Sequence, residues 1–228
     1  MNGVLYIAFG GHPNADHIRE AVVSVQSLKS VHPDMHTTVI TDSTSACHLK
    51  GYFDNMIVKD IRSERVKQDF LEESPYDRTL YLDTDTKIVN PIDDLFGLLD
   101  KFDIAASIDH ARKVKQWSDV YPDYAVIPAS FPEFAGGVIL YRKTEEMKVF
   151  FAYWRKNYEE WKRRSGRIND QPSFRVTMWE CNLIRPYVLP PEYNLRTEEK
   201  RDKYPGVPRI YHWHNMYDPN LKRIPQRF

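Results

Sequence analysis

Two aspartates stand one residue apart at the end of an apolar run near the middle of the chain. Leu80, Tyr81 and Leu82 predict a short buried strand, and Asp83 and Asp85 follow it in the stretch RTLYLDTDTKIVNP. On an extended backbone these two side chains point to the same side, so their carboxylates would lie close together. Like charges at that distance call for a cation between them. Carboxylate oxygens suit Mg²⁺ or Mn²⁺, which can also hold the oxygens of a phosphate.

The same two aspartates have other interpretations. Asp-Thr-Asp can be an ordinary polar turn with no ligand. An apolar strand followed by Asp-Thr-Asp-Thr also resembles the nucleophile strand of haloacid-dehalogenase-like phosphatases. In that case Asp83 would attack phosphorus and Asp85 would act as the acid and base. The surroundings of the motif have to distinguish these classes.

A second candidate ligand lies near the C-terminal end of the chain. The stretch IYHWHN carries His212 and His214 at the end of an apolar run, separated by Trp213. An imidazole that joins two carboxylates is a plausible third ligand for Mn²⁺. His214 would lie on the same strand face as His212 and is the alternative ligand, while simple surface exposure is the interpretation without a metal.

Strands and helices alternate along the first half of the chain, which predicts the elements that position these residues. The pattern is typical of an α/β fold with a mostly parallel central sheet and helices on its faces. Strands are predicted at 3–10, 36–42, 56–60, 80–82, 103–109 and 134–143, and helices at 17–31, 64–74, 92–100, 144–164 and 169–180.

The end of the first strand offers a place for a nucleotide. In open α/β sheets ligands bind at the carboxyl ends of the strands, where Ala8 and Phe9 would meet the two aspartates. A base could lie near Ala8 and Phe9 with its phosphates on the metal, and Gly10 would permit close backbone approach. The stretch GGHPNAD is neither a dinucleotide fingerprint nor a P-loop, so it disfavours both of those chemistries.

A proline-dotted, aromatic segment at 109–132 follows a predicted strand on the same edge. Its Trp117, Tyr121 and Tyr124 are suited to stack on a sugar or another flat acceptor. The alternative is that these rings only attach a long loop to the surface of the protein.

Composition limits the classes of protein to consider. The chain has 228 residues and a formal net charge of +0, which favours one domain over 1–228 and disfavours a nucleic-acid-binding protein. We expect no signal peptide and no membrane span, because no stretch reaches the roughly 20 apolar residues that a span needs. Cys47 and Cys181 make no disulfide framework and fit the cytoplasm. Composition does not fix the oligomeric state.

The order of these segments resembles the glycogenin-like, family-eight retaining glycosyltransferases of the GT-A fold. The most specific match is RTLYLDTDTKIVNPIDDLF, which is similar to the strand, Asp-x-Asp and strand unit of that family. The stretches EFAGGVILYRK, INDQPSF, LPPEYNLR and IYHWHN follow in the family's order. The resemblance implies a GT-A domain that transfers a sugar from a nucleotide donor, with UDP the expected carrier, to a carbohydrate or glycoconjugate acceptor.

The resemblance also implies roles for individual residues. Asp83 would contact both the donor ribose and the metal, and Asp85 and His212 would complete the metal site. Lys67, sixteen positions before Asp83, would bind the donor. The remaining implied residues are Gly136 and Gly137 at the donor, and Asp170 and Gln171 beneath the transferred sugar. A carboxylate at the start of a helix is also a common helix cap, which is the competing interpretation of Asp170.

The chain departs from the family pattern at several positions. Ala135 stands where the family has an asparagine that contacts the sugar, and the family's glycine and lysine near the C-terminal end are Asn215 and Asp218. Either Lys222 or Arg223 would then bind the diphosphate, or the chain lacks this phosphate-binding cation. These departures leave open a nucleotide-sugar-binding protein without activity. A strand, a helix and a further strand before Asp83 disfavour the phosphatase, whose nucleophile strand normally opens its domain.

Overall fold

The computed structural model describes residues 1–10, 16–61, 66–109, 113–196 and 206–213. The strands within these ranges are β1 (Asn2–Ile7), β2 (Thr37–Thr41), β3 (Asn55–Val58), β4 (Arg78–Leu82), β5 (Thr86–Ile88), β6 (Ile104–Ile108), β7 (Phe134–Arg142), β8 (Pro186–Leu189) and β9 (Ile210–His212). The α-helices are α1 (His17–Val31), α2 (Ala46–Leu49), α3 (Lys67–Phe70), α4 (Lys115–Ser118), α5 (Pro122–Ala125), α6 (Glu145–Ser165) and α7 (Gln171–Glu180). Short 3₁₀ helices cover Leu71–Glu73, Asp93–Asp100 and Pro191–Tyr193.

The central layer is a seven-stranded sheet in the order β3-β2-β1-β4-β7-β6-β8. The β3, β2, β1 and β4 strands are parallel neighbours, and β6 and β8 are parallel to each other. Only β7 among these strands runs antiparallel to both of its neighbours, β4 and β6. The predicted α/β class with a mostly parallel sheet is therefore confirmed. A separate two-stranded sheet joins β5 to β9.

Alternate residues of the central strands pack into two different cores. In β1, Val4 and Tyr6 face a cluster that includes α1, whereas Leu5 and Ile7 face a cluster that includes α6 and α7. This alternation follows from the two-residue period of a strand, and it shows that helices cover both faces of the sheet. The cluster around α6 is rich in aromatic rings, with Trp154 stacked on Phe174 at 4.3 Å between ring centroids.

Several predicted elements differ from the observed ones. The segment predicted as a helix at 92–100 is a 3₁₀ helix over Asp93–Asp100, and the one predicted at 64–74 is α3 followed by a 3₁₀ turn, with 64–65 outside the described residues. Both are short and interrupted, and a 3₁₀ arrangement serves such connecting pieces. The segment at 109–132 contains α4 and α5 instead of a plain loop. Among the described residues no helix is both long and apolar enough to cross a bilayer.

Candidate active site

The Asp-Thr-Asp stretch lies in a tight turn between β4 and β5. Its first residue is tied to β7, because the backbone N–H of Asp83 donates to the carbonyl of Gly137 at 2.8 Å. The Thr86 hydroxyl closes the turn by donating to the Asp83 carbonyl at 2.8 Å. The expectation of an extended backbone at Asp83 to Asp85 was therefore wrong, and the turn itself brings the two carboxylates onto one side.

The small sheet of β5 and β9 places His212 opposite this turn. Thr86 pairs with His212 in the antiparallel register, and the Trp213 N–H donates to the Asp85 carbonyl at 2.9 Å. His212 Nε2 lies 3.1 Å from Asp85 Oδ1 and 3.7 Å from Asp83 Oδ2. The structure thus brings together the three predicted metal ligands. The alternative ligand, His214, lies outside the described residues.

These three residues fit a divalent cation. One ligand atom from each of Asp83, Asp85 and His212 lies within 4.8 Å of the other two. Asp85 and His212 are buried, and Asp83 is partly buried. Two carboxylate oxygens and one imidazole nitrogen form a donor set that suits Mn²⁺ and is also compatible with Mg²⁺. The proximity of the two carboxylates supports the same conclusion, because a cation between them would offset their mutual repulsion.

The close approach of His212 to β7 requires a glycine at position 137. A Cβ atom built on Gly137 would overlap the His212 ring, with Nδ1 only 2.6 Å away, and would lie 3.1 Å from Asp83 Oδ2. Real Cβ atoms do not make contacts this short with a buried ring. Because Gly137 has no side chain, the imidazole and the Asp83 carboxylate can pack directly against its backbone.

Lys67 connects the metal ligands to Asp170. Its ammonium group donates to Asp83 Oδ1 at 3.0 Å and to the Gly136 carbonyl at 2.8 Å, and it lies 3.3 Å from Asp170 Oδ2. The lysine side chain is 7% exposed. Burial raises the pKa of Asp83, but the charges of Lys67 and His212 outweigh it, and the pKa of Asp83 is held below its ordinary value.

Asp170 occupies the N-cap position of α7 without capping the helix through its side chain. The carboxylate accepts no hydrogen bond from the first turn. Its Oδ2 atom is buried and has no hydrogen-bond partner of good geometry among the described residues, although Lys67 is within ion-pair distance. A helix cap would have satisfied this oxygen. The competing interpretation of Asp170 as a side-chain cap is therefore wrong.

Gln171 begins α7 and contacts a buried acidic residue behind it. Its Nε2 lies 3.4 Å from Glu133 Oε1, and Glu133 Oε2 accepts a hydrogen bond from the Tyr124 hydroxyl at 2.6 Å. The fully buried guanidinium of Arg175 lies 3.4 Å from the same carboxylate. Burial is the main reason that the pKa of Glu133 rises to about 7.

The predicted acceptor-stacking residues form a hydrophobic cluster instead. Tyr121 and Tyr124 are completely buried, together with Trp161 of α6. The prediction that these two tyrosines stack on an acceptor is wrong, because α6 and α7 cover their rings. Trp117 is partly buried and packs edge-on against Tyr124 at 5.7 Å between ring centroids.

The two residues predicted near a nucleotide base differ in their surroundings. Ala8 is fully buried within the core that includes α1, so its side chain offers no surface to a base. Phe9 follows it and is only partly buried. Of this pair, only Phe9 remains a candidate for base contact. The next residue, Gly10, donates its N–H to the Ser45 hydroxyl at 2.9 Å.

Two residues of the site were not among the predicted site residues. The Tyr81 hydroxyl donates to Asp83 Oδ1 at 2.6 Å, and Asn194 contacts His212 Nδ1 at 2.7 Å. Burial and the neighbouring Asp83 carboxylate raise the pKa of Tyr81 well above its ordinary value, so the phenol stays protonated and serves as a donor. Tyr81 lies in an apolar strand, where a tyrosine is ordinary, whereas Asn194 lies in LPPEYNLR, whose resemblance to the family was the available signal.

Comparisons with known proteins connect this geometry to one fold. No protein-family model and no curated protein sequence matches the chain. Solved structures do match. The galactosyltransferase LgtC, in complex with donor and acceptor sugar analogues, is 16% identical with a TM-score of 0.61, over 93% of this chain and 87% of LgtC.

Two further solved structures have the same architecture. Mouse xyloside xylosyltransferase 1 is 15% identical with a TM-score of 0.64, over 96% of this chain and 99% of the mouse protein. The glycosyltransferase GlyE of Streptococcus pneumoniae TIGR4 is 16% identical with a TM-score of 0.65, over 98% of this chain and 57% of GlyE. The chain therefore has the GT-A glycosyltransferase fold, and the predicted resemblance is confirmed at the level of the fold.

Proposed function

We propose that this protein is a metal-dependent glycosyltransferase that uses a nucleotide-diphosphate sugar. The observation that carries the proposal is the grouping of Asp83, Asp85 and His212 within 4.8 Å, with Lys67 joining Asp83 to Asp170. Ligands of this fold class bind at the carboxyl ends of parallel strands, and this grouping lies at the end of β4. Neighbours in structure that are named galactosyl- and xylosyltransferases support the same class of reaction.

The chemistry requires that a diphosphate leave the anomeric carbon of a sugar. A bound Mn²⁺ or Mg²⁺ would neutralise the charge that develops on that diphosphate. Asp83, Asp85 and His212 would hold the cation, and Asp83 would also contact the donor ribose. Lys67 is a cation buried between two carboxylates, and in this proposal its ammonium group would bind the donor from the side of Asp170.

Asp170 and Gln171 are the proposed catalytic residues. The Asp170 carboxylate makes no capping hydrogen bond, and its Oδ2 lies 3.3 Å from the Lys67 ammonium, so binding of a donor by Lys67 would bring the sugar next to this carboxylate. It would stabilise positive charge at the anomeric carbon or attack it transiently, and the donor and product would then share one anomeric configuration. Gln171, held from behind by Glu133, would orient a sugar hydroxyl.

The remaining assignments follow from the same proposal. UDP is the expected carrier, Phe9 contacts the base, and Gly136 and Gly137 line the donor site. The acceptor is a carbohydrate or glycoconjugate, for which Trp117 remains the one candidate ring from the sequence. We place the whole chain in one domain, and its two free cysteines, Cys47 and Cys181, are consistent with the cytoplasm.

Thermal unfolding tests this function against the phosphatase alternative. UDP with Mn²⁺ at about 100 times its Kd should add about 2.7 kcal/mol of stability and raise Tm by about 5 to 10 °C. Orthovanadate with Mg²⁺, a phosphate mimic, should leave Tm unchanged. Stabilisation by vanadate and none by UDP would contradict the proposal. The Asp85→Asn variant serves as control, because it should lose the response to UDP with Mn²⁺.

A further inference from the structure

The imidazole of His212 has a partner on the side that faces away from the carboxylates. Its Nδ1 lies 2.7 Å from Asn194 Oδ1, and Asn194 is only 6% exposed while His212 is 7% exposed. The other ring nitrogen, Nε2, faces Asp85 and Asp83. A neutral imidazole carries one proton, so the nitrogen that holds it cannot also offer a lone pair to a cation.

The orientation of the Asn194 side chain is itself fixed by a second contact. Its Nδ2 donates to the Ser107 hydroxyl at 2.6 Å, and its Oδ1 faces His212. Ser107 is buried in β6, where it pairs with Leu189 of β8 and with Ala135 of β7. The amide is therefore anchored to the rigid central sheet, and its oxygen can only accept a hydrogen bond from the ring.

The backbone of Asn194 is held as well. The Asn194 N–H donates to the Pro191 carbonyl at 3.0 Å, and the neighbouring Leu195 carbonyl accepts from the His212 N–H at 3.0 Å. The segment that carries the asparagine thus pairs directly with the strand that carries the histidine. These contacts and the close packing against Gly137 hold the ring in the position in which Nε2 faces the two aspartates.

We propose that Asn194 is the positioning residue that keeps the proton of His212 on Nδ1 and so directs the Nε2 lone pair into the metal site. This inference rests on the proposed metal site. A partner that fixes the tautomer of a metal-binding histidine typically contributes 10-fold to 100-fold to metal affinity. Asn194 acts through His212 and touches neither the cation nor the donor.

Three variants separate this role from a general loss of packing. Asn194→Leu keeps the volume and removes the acceptor, so Mn²⁺ affinity should fall 10-fold to 100-fold. Asn194→Asp restores an oxygen opposite Nδ1, and the Ser107 hydroxyl can rotate to donate to it, so affinity should stay near that of the wild type. Asn157→Leu is the matched control, since Asn157 is also a buried asparagine but bonds to Thr177 in the helical layer.

Two measurements on the whole chain test the inference. The first is titration with Mn²⁺ alone, followed by the electron paramagnetic resonance signal of the free ion. If the wild type binds no Mn²⁺, both the proposed metal site and this inference fail. If the wild type binds and Asn194→Leu binds equally well, or Asn194→Asp does not restore binding, the inference alone is overturned.

The second measurement needs no metal and reads the tautomer of His212 in the wild type itself. Side-chain ¹⁵N spectra of the metal-free wild type at alkaline pH, with the His212 signal assigned by its loss in His212→Gln, report which ring nitrogen carries the proton. We expect the proton on Nδ1. A proton on Nε2 would overturn the proposal directly.

Discussion

The carboxylates of Asp83 and Asp170 share one buried cation, the ammonium group of Lys67. Asp83 also accepts a hydrogen bond from Tyr81. Burial raises the pKa of Asp83, but its neighbours, chiefly Lys67, lower it below the ordinary value. The sequence could predict Asp83, Asp85, His212 and Lys67, because each lies in a segment with a recognisable order. It could not predict Tyr81, because the role of this residue depends on the position of its hydroxyl group next to the Asp83 carboxylate.

At this scale Asp85→Asn tests the metal site. The substitution keeps the size of the side chain and removes its charge, so turnover of the donor should fall by at least about 100-fold, or about 2.7 kcal/mol in barrier. Tm should not decrease, because one of two adjacent like charges is removed. The exposed Asp119→Asn, whose carboxylate pairs with Lys115 of α4 among the residues that the structure describes, serves as the control. Unchanged turnover in Asp85→Asn would mean that the site is misassigned.

Asp170→Asn tests the catalytic carboxylate. Asp170 makes no capping hydrogen bond, and Lys67 keeps its bonds to Asp83 and to the Gly136 carbonyl, so the amide should change Tm little. Turnover should fall more than about tenfold, or about 1.4 kcal/mol in barrier, because positive charge at the anomeric carbon loses its partner. The measurement is nucleoside diphosphate release under saturating donor. Near-normal turnover would remove Asp170 from the mechanism.

At the scale of elements, the site depends on a turn and two strands that local patterns describe only in part. Long amphipathic helices such as α1 and α6 agree closely with the prediction, because their apolar residues recur at helical spacing. The aromatic segment at 109–132 differs from its prediction as an acceptor-binding loop, because α6 and α7 bury Tyr121 and Tyr124. A ring that fills a core and a ring that stacks on a sugar have the same local sequence.

Gly137→Ala tests the contact between β7 and the histidine. The added methyl group overlaps the His212 ring, so Mn²⁺ affinity should fall at least tenfold. Gly97→Ala is the matched control, since a Cβ at Gly97 would have nothing within 4 Å among the described residues and should leave Mn²⁺ affinity unchanged. Calorimetric titration with Mn²⁺ measures both. Equal Mn²⁺ affinities in the two variants would contradict the packing of His212 against Gly137.

Glu133→Gln tests the buried network behind Gln171 through its pH dependence. The pKa of Glu133 rises from its ordinary 4.5 to about 7. Between these pH values the unfolded chain loses the proton while the folded chain keeps it, so this group lowers stability as pH rises. The loss is on the order of 3 kcal/mol and is complete above about pH 7.

Glutamine cannot ionise, so the variant should gain stability relative to the wild type between pH 5 and pH 8. Urea unfolding at both pH values, monitored by circular dichroism, gives the two free energies of unfolding. A difference between variant and wild type that does not change with pH would contradict a raised pKa at Glu133.

At the scale of the whole molecule, the site is assembled from segments far apart in the chain. Asp83 lies at the end of β4 in the middle of the sheet, Gly137 on the antiparallel β7, and His212 on the last described strand. The sequence could predict the α/β class from alternating elements. It could not predict the strand order, because pairing between β4 and β7 depends on contacts across more than fifty residues.

The most direct test of the central claim is release of UDP from a panel of UDP-sugars by the wild-type protein with Mn²⁺. We expect release from at least one UDP-sugar, dependent on Mn²⁺ and lost in Asp85→Asn. The product, followed by nuclear magnetic resonance before it equilibrates, should keep the anomeric configuration of the donor. An inverted product would contradict the role of Asp170. No UDP release from any donor, together with phosphate release from a phosphomonoester, would contradict the glycosyltransferase itself.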